Sequence, residues 1–414
     1  MSQLAACFSR TNGNSTTSSA AAATAVAALC LGVYLCIRPA LTELRPLPID
    51  RHIIRARTRA TAEGGKPALL ACDAPTPPPY RLDEFPGGRQ VKSSYGTIQV
   101  FEWGPEDGEK VLLLHGIGTP CIALGDMARA FVDRGCRVML FDLFGRGYSD
   151  APADLPYDDR LYTAQIFVAL SSSPLSWTGS SAFHILGFSL GGALAASFAT
   201  YHANILRSVT LICPGGLVRA STVSRRSRIA YSNGGIIPEW LIQLAARKRL
   251  RPSASHHTAV DIPDGADDAD FDFDEVPVAR GVPGSAKVGH VVQWQFDGND
   301  GFVPAYVSTI RHSPIYAQHT ELWSVLAEEL AARRSREQQD RPAGLETGLI
   351  CLIVAERDPI VIASECIEDA RAVLGEDGVD AHTIKGGHEV GISRGREIAG
   401  MAMDSWEKFR QSRS

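Results

Sequence analysis

The chain is expected to be an α/β protein: a doubly wound, mostly parallel eight-stranded sheet with a helical insertion. Two observations carry this expectation. Short apolar runs such as Lys110 to His115 (KVLLLH), Arg137 to Phe141 and Leu349 to Ala355 have the length of strands buried on both faces. They alternate with stretches of helical spacing, which implies right-handed crossovers between parallel neighbours.

The elements follow in order. Val91 to Gly104 predicts two strands joined at a Tyr95-Gly96 turn, then comes the Lys110 to His115 strand. Residues 121–135 have helical spacing (Ile122, Leu124, Met127, Ala128, Phe131) and stop at Gly135. Arg137 to Phe141 is a strand, 158–171 a helix and Phe183 to Phe188 a strand. Leu190 to Tyr201 is a helix rich in Gly and Ala, able to lie close to a sheet, and Ser208 to Cys213 is a strand. After a long gap, Leu349 to Ala355 is a strand, 361–375 a helix, 381–385 a strand and 394–410 a helix. Ligands of such sheets bind beyond the carboxyl ends of the strands.

Composition narrows the function classes. The 414 residues are 45% hydrophobic and 21% charged, which excludes a collagen-like or wholly disordered chain. The net charge is −5, so no basic excess points to nucleic acid. Eight acids between Asp261 and Glu275 outweigh that whole net charge, so one segment sets it. This run lacks the Gly and Glu spacing of an EF-hand loop and reads as a solvated loop. The basic residues Arg225, Arg226, Arg228, Arg247, Lys248, Arg249 and Arg251 read as a solvated face. Nine scattered cysteines without a Cys-x-x-Cys pair suggest reduced thiols, with neither a disulfide framework nor a zinc site.

Residues 1–60 read as an N-terminal tail and 61–87 as a Gly- and Pro-rich linker. Within the tail, Ala20 to Ile37 is uncharged over 18 residues, the lower limit for a membrane-spanning helix. Arg10 alone precedes it, whereas Arg38, Arg45, Arg51, Arg55, Arg57 and Arg59 follow. The expectation is therefore a single-pass anchor with the body in the cytosol. A mitochondrial presequence is the alternative, since no acid occurs before Glu43.

Gly187-Phe188-Ser189-Leu190-Gly191 matches G-x-S-x-G and lies directly between an expected strand and an expected helix, the context this motif requires. A serine on such a turn projects its hydroxyl into the cleft, and flanking glycines remove Cβ atoms that would collide there. A hydroxyl needs a base, and the base an orienting acid. Asp358 lies just past a late strand, and His388 just past the last one.

With these residues the sequence resembles the α/β-hydrolase superfamily over about 88–217 and 345–414. The likeness includes His115-Gly116-Ile117-Gly118 and the run Asp142-Leu143-Phe144-Gly145-Arg146-Gly147-Tyr148-Ser149. The resemblance implies Ser189 as nucleophile, His388 as base then acid, and Asp358 as the group orienting His388. It also implies an oxyanion hole from the backbone N–H groups of Ile117 and Leu190, an elbow shaped by Gly187 and Gly191, and no cofactor or metal. Of the rival groups, Glu356 belongs to the strand, His382 and Asp142 are structural, and His115 positions backbone.

In this family the gap after the sixth strand holds a lid, here about 218–344 within a catalytic domain of 88–414. It has expected helices at 238–248 and 320–334. A segment with Trp294, Phe296, Phe302, Val303, Tyr306 and Ile310 could line an apolar acyl cavity or form ordinary core. The function expected from all this is cleavage of a carboxylic ester of a lipid or hydrophobic small molecule through an acyl-enzyme. Thioester, lactone or carbon–carbon bond hydrolysis and acyl transfer are alternatives on the same fold. A non-catalytic ligand-binding protein is the alternative of another class.

Overall fold

The computed structural model describes residues 24–35, 52–56, 78–179, 182–223, 239–250, 273–278, 285–335, 343–345 and 347–411. It divides into two compact units, residues 1–52 and 53–414. In the first, residues 24–35 form helix α1, exposed along its length. Those twelve residues rise about 18 Å against a bilayer core of about 30 Å. No helix among the described residues is long and apolar enough to cross a membrane. The expected anchor, 20–37, runs past the described residues at both ends.

The second unit is built on an eight-stranded sheet. Its strands are β2 (Arg89–Ser93), β3 (Gly96–Trp103), β4 (Lys110–Leu114), β5 (Arg137–Phe141), β7 (Phe183–Phe188), β8 (Leu206–Ile212), β9 (Ile350–Ala355) and β10 (Val379–Ile384). They lie in the order β10-β9-β8-β7-β4-β5-β3-β2. β3 pairs antiparallel with both β2 and β5, and every other pairing is parallel. The apolar runs give strands with no alternation: every residue of β7 and β9 is buried, because helices cover both faces.

The chain leaves β4 for β5 on one side and then returns to β7 on the other. At this switch point the loops after β4 and β7 diverge and leave a crevice. Helix α2 (Gly125–Val132) follows β4, α3 (Asp159–Ser171) precedes β7, and α4 (Leu190–His202) follows it. Residues 190–200 of α4 are all buried, and their small side chains allow it close to the sheet. Between β8 and β9 lie α5 (Glu239–Leu250), α6 (Val288–Gly298), α7 (Phe302–His312) and α8 (Leu322–Arg334). The chain ends with α9 (Ala363–Leu374), α10 (Val390–Ser393) and α11 (Gly395–Gln411).

Several boundaries differ from the sequence reading. The expected helix 121–135 is a short 3₁₀ turn, Cys121–Leu124, followed by α2. The terminal helix breaks at Arg394, and the last strand begins at Val379, two residues before 381. The folded body also takes in pieces read as tail and linker. β1 (Ile53–Ile54) pairs with β6 (Ala151–Pro152), and the Ala56 N–H donates to Asp150 Oδ1 at 3.1 Å. Tyr80 and Phe85 are buried, Tyr80 against Tyr148 and Trp294 and Phe85 against Phe101. Proline and glycine punctuation hid two aromatic anchors there.

In the insertion, Trp294, Phe296, Phe302, Val303 and Tyr306 are buried core. Residues 261–272 of the acidic run and Arg225, Arg226, Arg228 and Arg251 lie outside the described residues. The cysteines at 121, 136, 213, 351 and 366 are buried.

Candidate active site

The site starts from a strained turn. Ser189 has φ 55° and ψ −116°, a backbone state that costs a non-glycine residue about 1–3 kcal/mol. Its surroundings hold it there. The Ser189 N–H donates to Ile212 O at 2.9 Å, and Ser189 O accepts from Gly192 N at 2.9 Å and Gly215 N at 3.0 Å. The glycines are steric necessities. A Cβ at Gly187 would sit 2.0 Å from Gly191 O, and one at Gly191 would sit 2.2 Å from Leu114 O. Gly192 is a third such position, 2.6 Å from Pro214 Cβ, and the motif alone does not single it out.

Three distant segments converge on this serine. Ser189 Oγ lies 2.9 Å from His388 Nε2, and His388 Nδ1 lies 2.7 Å from Asp358 Oδ2. The second oxygen of Asp358 accepts the N–H of Ile360 at 2.8 Å and of Val361 at 2.9 Å. Asp358 is therefore held as an acceptor, which places the imidazole proton on Nδ1 and leaves Nε2 free to accept from the serine. Phe188 packs against the His388 ring, with centroids 5.3 Å apart. Ser189 and His388 open onto a cavity of about 40 Å³ lined by Ile117, Leu190, Ile310, Ile315, Ile360 and Val361, among others. Of the aromatic and aliphatic insertion residues singled out above, only Ile310 reaches it.

Both expected oxyanion donors border this cavity. The Ile117 N–H has no backbone acceptor among the described residues. Leu190 opens α4, where the first amides lack an intrahelical partner and the helix dipole favours negative charge.

Of the rival groups, Glu356 lies just past β9 in an exposed turn rather than on the strand, and His115, Asp142 and His382 are structural. His115 is buried and accepts the Leu143 N–H on Nε2 at 2.8 Å, so Nδ1 carries the proton and donates to Gly116 O at 2.7 Å. Burial lowers its pKa to about 3, so it stays neutral. Asp142 accepts the N–H groups of Cys121 and Tyr148, each at 2.9 Å, and burial raises its carboxyl to about 6. His382 and Asp380 pair at the far edge of the sheet, 3.0 Å apart.

A second serine–histidine–acid group lies elsewhere. His184 Nδ1 is 2.7 Å from Ser208 Oγ, and Nε2 is 3.4 Å from Glu109. Ser208 is a buried residue within β8, and His184 is stacked on Trp406 at 3.7 Å. Ser208 lies inside a strand rather than at a helix start and is buried, so it lacks the exposed, helix-capped setting a nucleophile needs.

Cys213, Asp358 and His388 offer ligand atoms within 4.8 Å of one another. Burial, followed by the Asp358 charge, pushes the Cys213 thiol well up, so it stays protonated. The other two groups are already bonded to each other, so this donor set is committed to the serine site. Sequence reasoning missed the wall residues Ile315, Tyr316, Ile360 and Val361. They come from two segments remote in the chain and carry no motif.

Comparison with known proteins bears on the fold. Residues 110–259 match the sequence model of the family described as alpha/beta hydrolase fold. That stretch holds Ser189 and the 115–118 loop and ends before Asp358 and His388. A protein of Arabidopsis thaliana named "Probable lysophospholipase BODYGUARD 4" is 29% identical over 157 residues, covering 37% of this chain and 33% of that one. The monoacylglycerol lipase abhd6-B of Xenopus laevis is 30% identical over 140 residues, covering 32% of this chain and 39% of its own. The chain thus spans only about a third of the length of such relatives. A solved hydrolase structure from Pseudomonas aeruginosa PA01 superposes with a TM-score of 0.50 at 15% identity, covering 77% of this chain and 97% of that one. At that identity it speaks for the fold.

Proposed function

We propose that this chain, an α/β-hydrolase by its fold and by the family match over residues 110–259, is a serine hydrolase that cleaves a carboxylic ester of a lipid or other hydrophobic small molecule. One observation carries the reading. The Ser189 hydroxyl lies 2.9 Å from a histidine that Asp358 orients, at the mouth of an aliphatic cavity.

In this mechanism Ser189 Oγ attacks the ester carbonyl while His388 Nε2 takes its proton. The N–H groups of Ile117 and Leu190 receive the negative charge that develops on the carbonyl oxygen. Donors of this kind are worth about 3–4 kcal/mol each. His388 then protonates the departing alcohol, and an acyl-Ser189 ester remains. Water gives its proton to His388 and attacks that ester, releasing the acid and regenerating Ser189. The aliphatic wall carries no charge, which suits an alkyl or acyl chain. The lipase and lysophospholipase names of the partial relatives agree with this class.

We also propose that residues 20–37 tether the enzyme to a membrane. Support comes from the uncharged run and the arginines that follow it, while the described helix within it covers only 24–35.

A fluorophosphonate probe should label the wild-type chain and the Ser208→Ala variant, and fail on Ser189→Ala. Equal labelling of wild type and Ser189→Ala would refute the assignment. Competition by a panel of esters, thioesters and lactones then identifies the bond that is cleaved.

A further inference from the structure

Three successive carbonyls beside the site are each held by a buried side chain. Gly116 O takes the His115 Nδ1 proton at 2.7 Å, Ile117 O takes Arg146 Nε–H at 3.2 Å, and Gly118 O takes Gln295 Nε2–H at 2.8 Å. Ile117 stands between two glycines, a segment with wide conformational freedom when left untied. The Ile117 N–H shares its planar peptide unit with Gly116 O, held by His115, and Arg146 holds the next unit through Ile117 O, so both units at the Ile117 Cα are tied.

Arg146 is unusual among the three. It is fully buried, and its guanidinium donates to four neutral acceptors. These are Ile117 O, Phe144 O and the Tyr162 hydroxyl, both at 2.9 Å, and Thr309 Oγ1 at 3.0 Å. No carboxylate is among these partners, although a buried cation is costly unless paired. The hydroxyls are arranged to suit it. Thr309 donates to Ala305 O at 2.6 Å and lies 2.8 Å from the Tyr162 hydroxyl, leaving oxygen lone pairs for the guanidinium. Arginine keeps its charge at any working pH. A fixed positive charge therefore lies against the carbonyl of the residue that carries the expected oxyanion N–H, with no anion among these four partners.

We propose that Arg146 is a positioning residue of the oxyanion hole, fixing the 117–118 peptide unit that flanks the donor and leaving its own charge unneutralised until the carbonyl oxygen becomes negative. This rests on the reading of Ser189 as nucleophile. It also gives the insertion a part in catalysis, because Thr309 and Gln295 come from α7 and α6.

The test uses the full chain, with active sites counted by fluorophosphonate titration, a p-nitrophenyl ester as substrate and a trifluoromethyl ketone as mimic of the tetrahedral state. For Arg146→Met, kcat per titrated site should fall about 100-fold with KM within about threefold, and affinity for the ketone should fall in parallel. Arg146→Lys, which keeps the charge but loses the fork, should recover part of the loss. If Arg146→Met keeps wild-type kcat per site and loses only thermal stability, the proposal is overturned. Should that variant not fold, Thr309→Val removes one acceptor. It should lower kcat about fivefold at constant KM, and a wild-type kcat overturns the proposal. Failure of the probe to label wild type would instead strike the nucleophile assignment.

Discussion

At the scale of single residues, what separates a reactive group from an inert one here is the surroundings rather than the residue type. Ser189 and Ser208 each touch a histidine, at 2.9 and 2.7 Å, yet Ser189 sits at a helix start beside a cavity whereas Ser208 is buried inside β8. His115 and His388 are both largely buried, but His115 has both ring nitrogens engaged with backbone and is held neutral by desolvation. That neutrality has a consequence for pH. In the unfolded chain His115 takes up a proton near 6.5, and in the folded one only near 3. Its contribution to stability is therefore complete above 6.5 and is lost as pH falls toward 3. Between pH 6.5 and 5 the loss is about 2 kcal/mol. Asp142 acts in the opposite sense, because burial raises its carboxyl to about 6 and its ionisation burdens the folded state as pH rises. Comparison of wild type with His115→Asn isolates the histidine. Urea midpoints between pH 7 and 5 should fall more steeply for wild type, and parallel curves would remove His115 as the cause.

Elements decide how those residues meet. β7 is buried throughout and α4 is built of small residues, so strand and helix meet in a turn with no room for side chains at 187 and 191. Gly191→Ala would place a methyl group 2.2 Å from the Leu114 carbonyl, with rigid backbone on both sides. It should cost about 2–4 kcal/mol in chemical denaturation and also reduce probe labelling, because any relief moves Ser189. A variant as stable and as reactive as wild type would show that the contact is soft.

The strands were legible in the sequence because strands buried on both faces are continuous apolar runs, whereas their order in the sheet was read only from the structure. The elbow was legible too, because few residues fit its geometry. Tyr80 and Phe85 were not legible as core, since their neighbours read as linker. Arg146 and Gln295 were not legible either. Arg146 was in view inside Gly145-Arg146-Gly147, but an arginine between two glycines reads as exposed. Gln295 is one of two amides in α6, with Gln293, so it carried no distinct signal.

For the whole molecule, catalysis and tethering are separable in this reading. Deleting residues 1–38 leaves the described body from Ile53 onward complete. The shortened chain should keep kcat/KM for a soluble ester within about twofold, while the full chain, unlike the shortened one, should stay with membranes after alkaline carbonate washing. A full chain released by that wash would remove the tether.

The sequence by itself determined the mostly parallel sheet, the serine turn and the chain order of its expected partners, because these rest on local periodicity and on residue types with few substitutes. The tertiary structure alone decided which residues wall the cavity and that insertion helices help hold the 116–118 loop. Those are contacts between segments far apart in sequence, and only the folded chain brings such side chains within hydrogen-bonding distance.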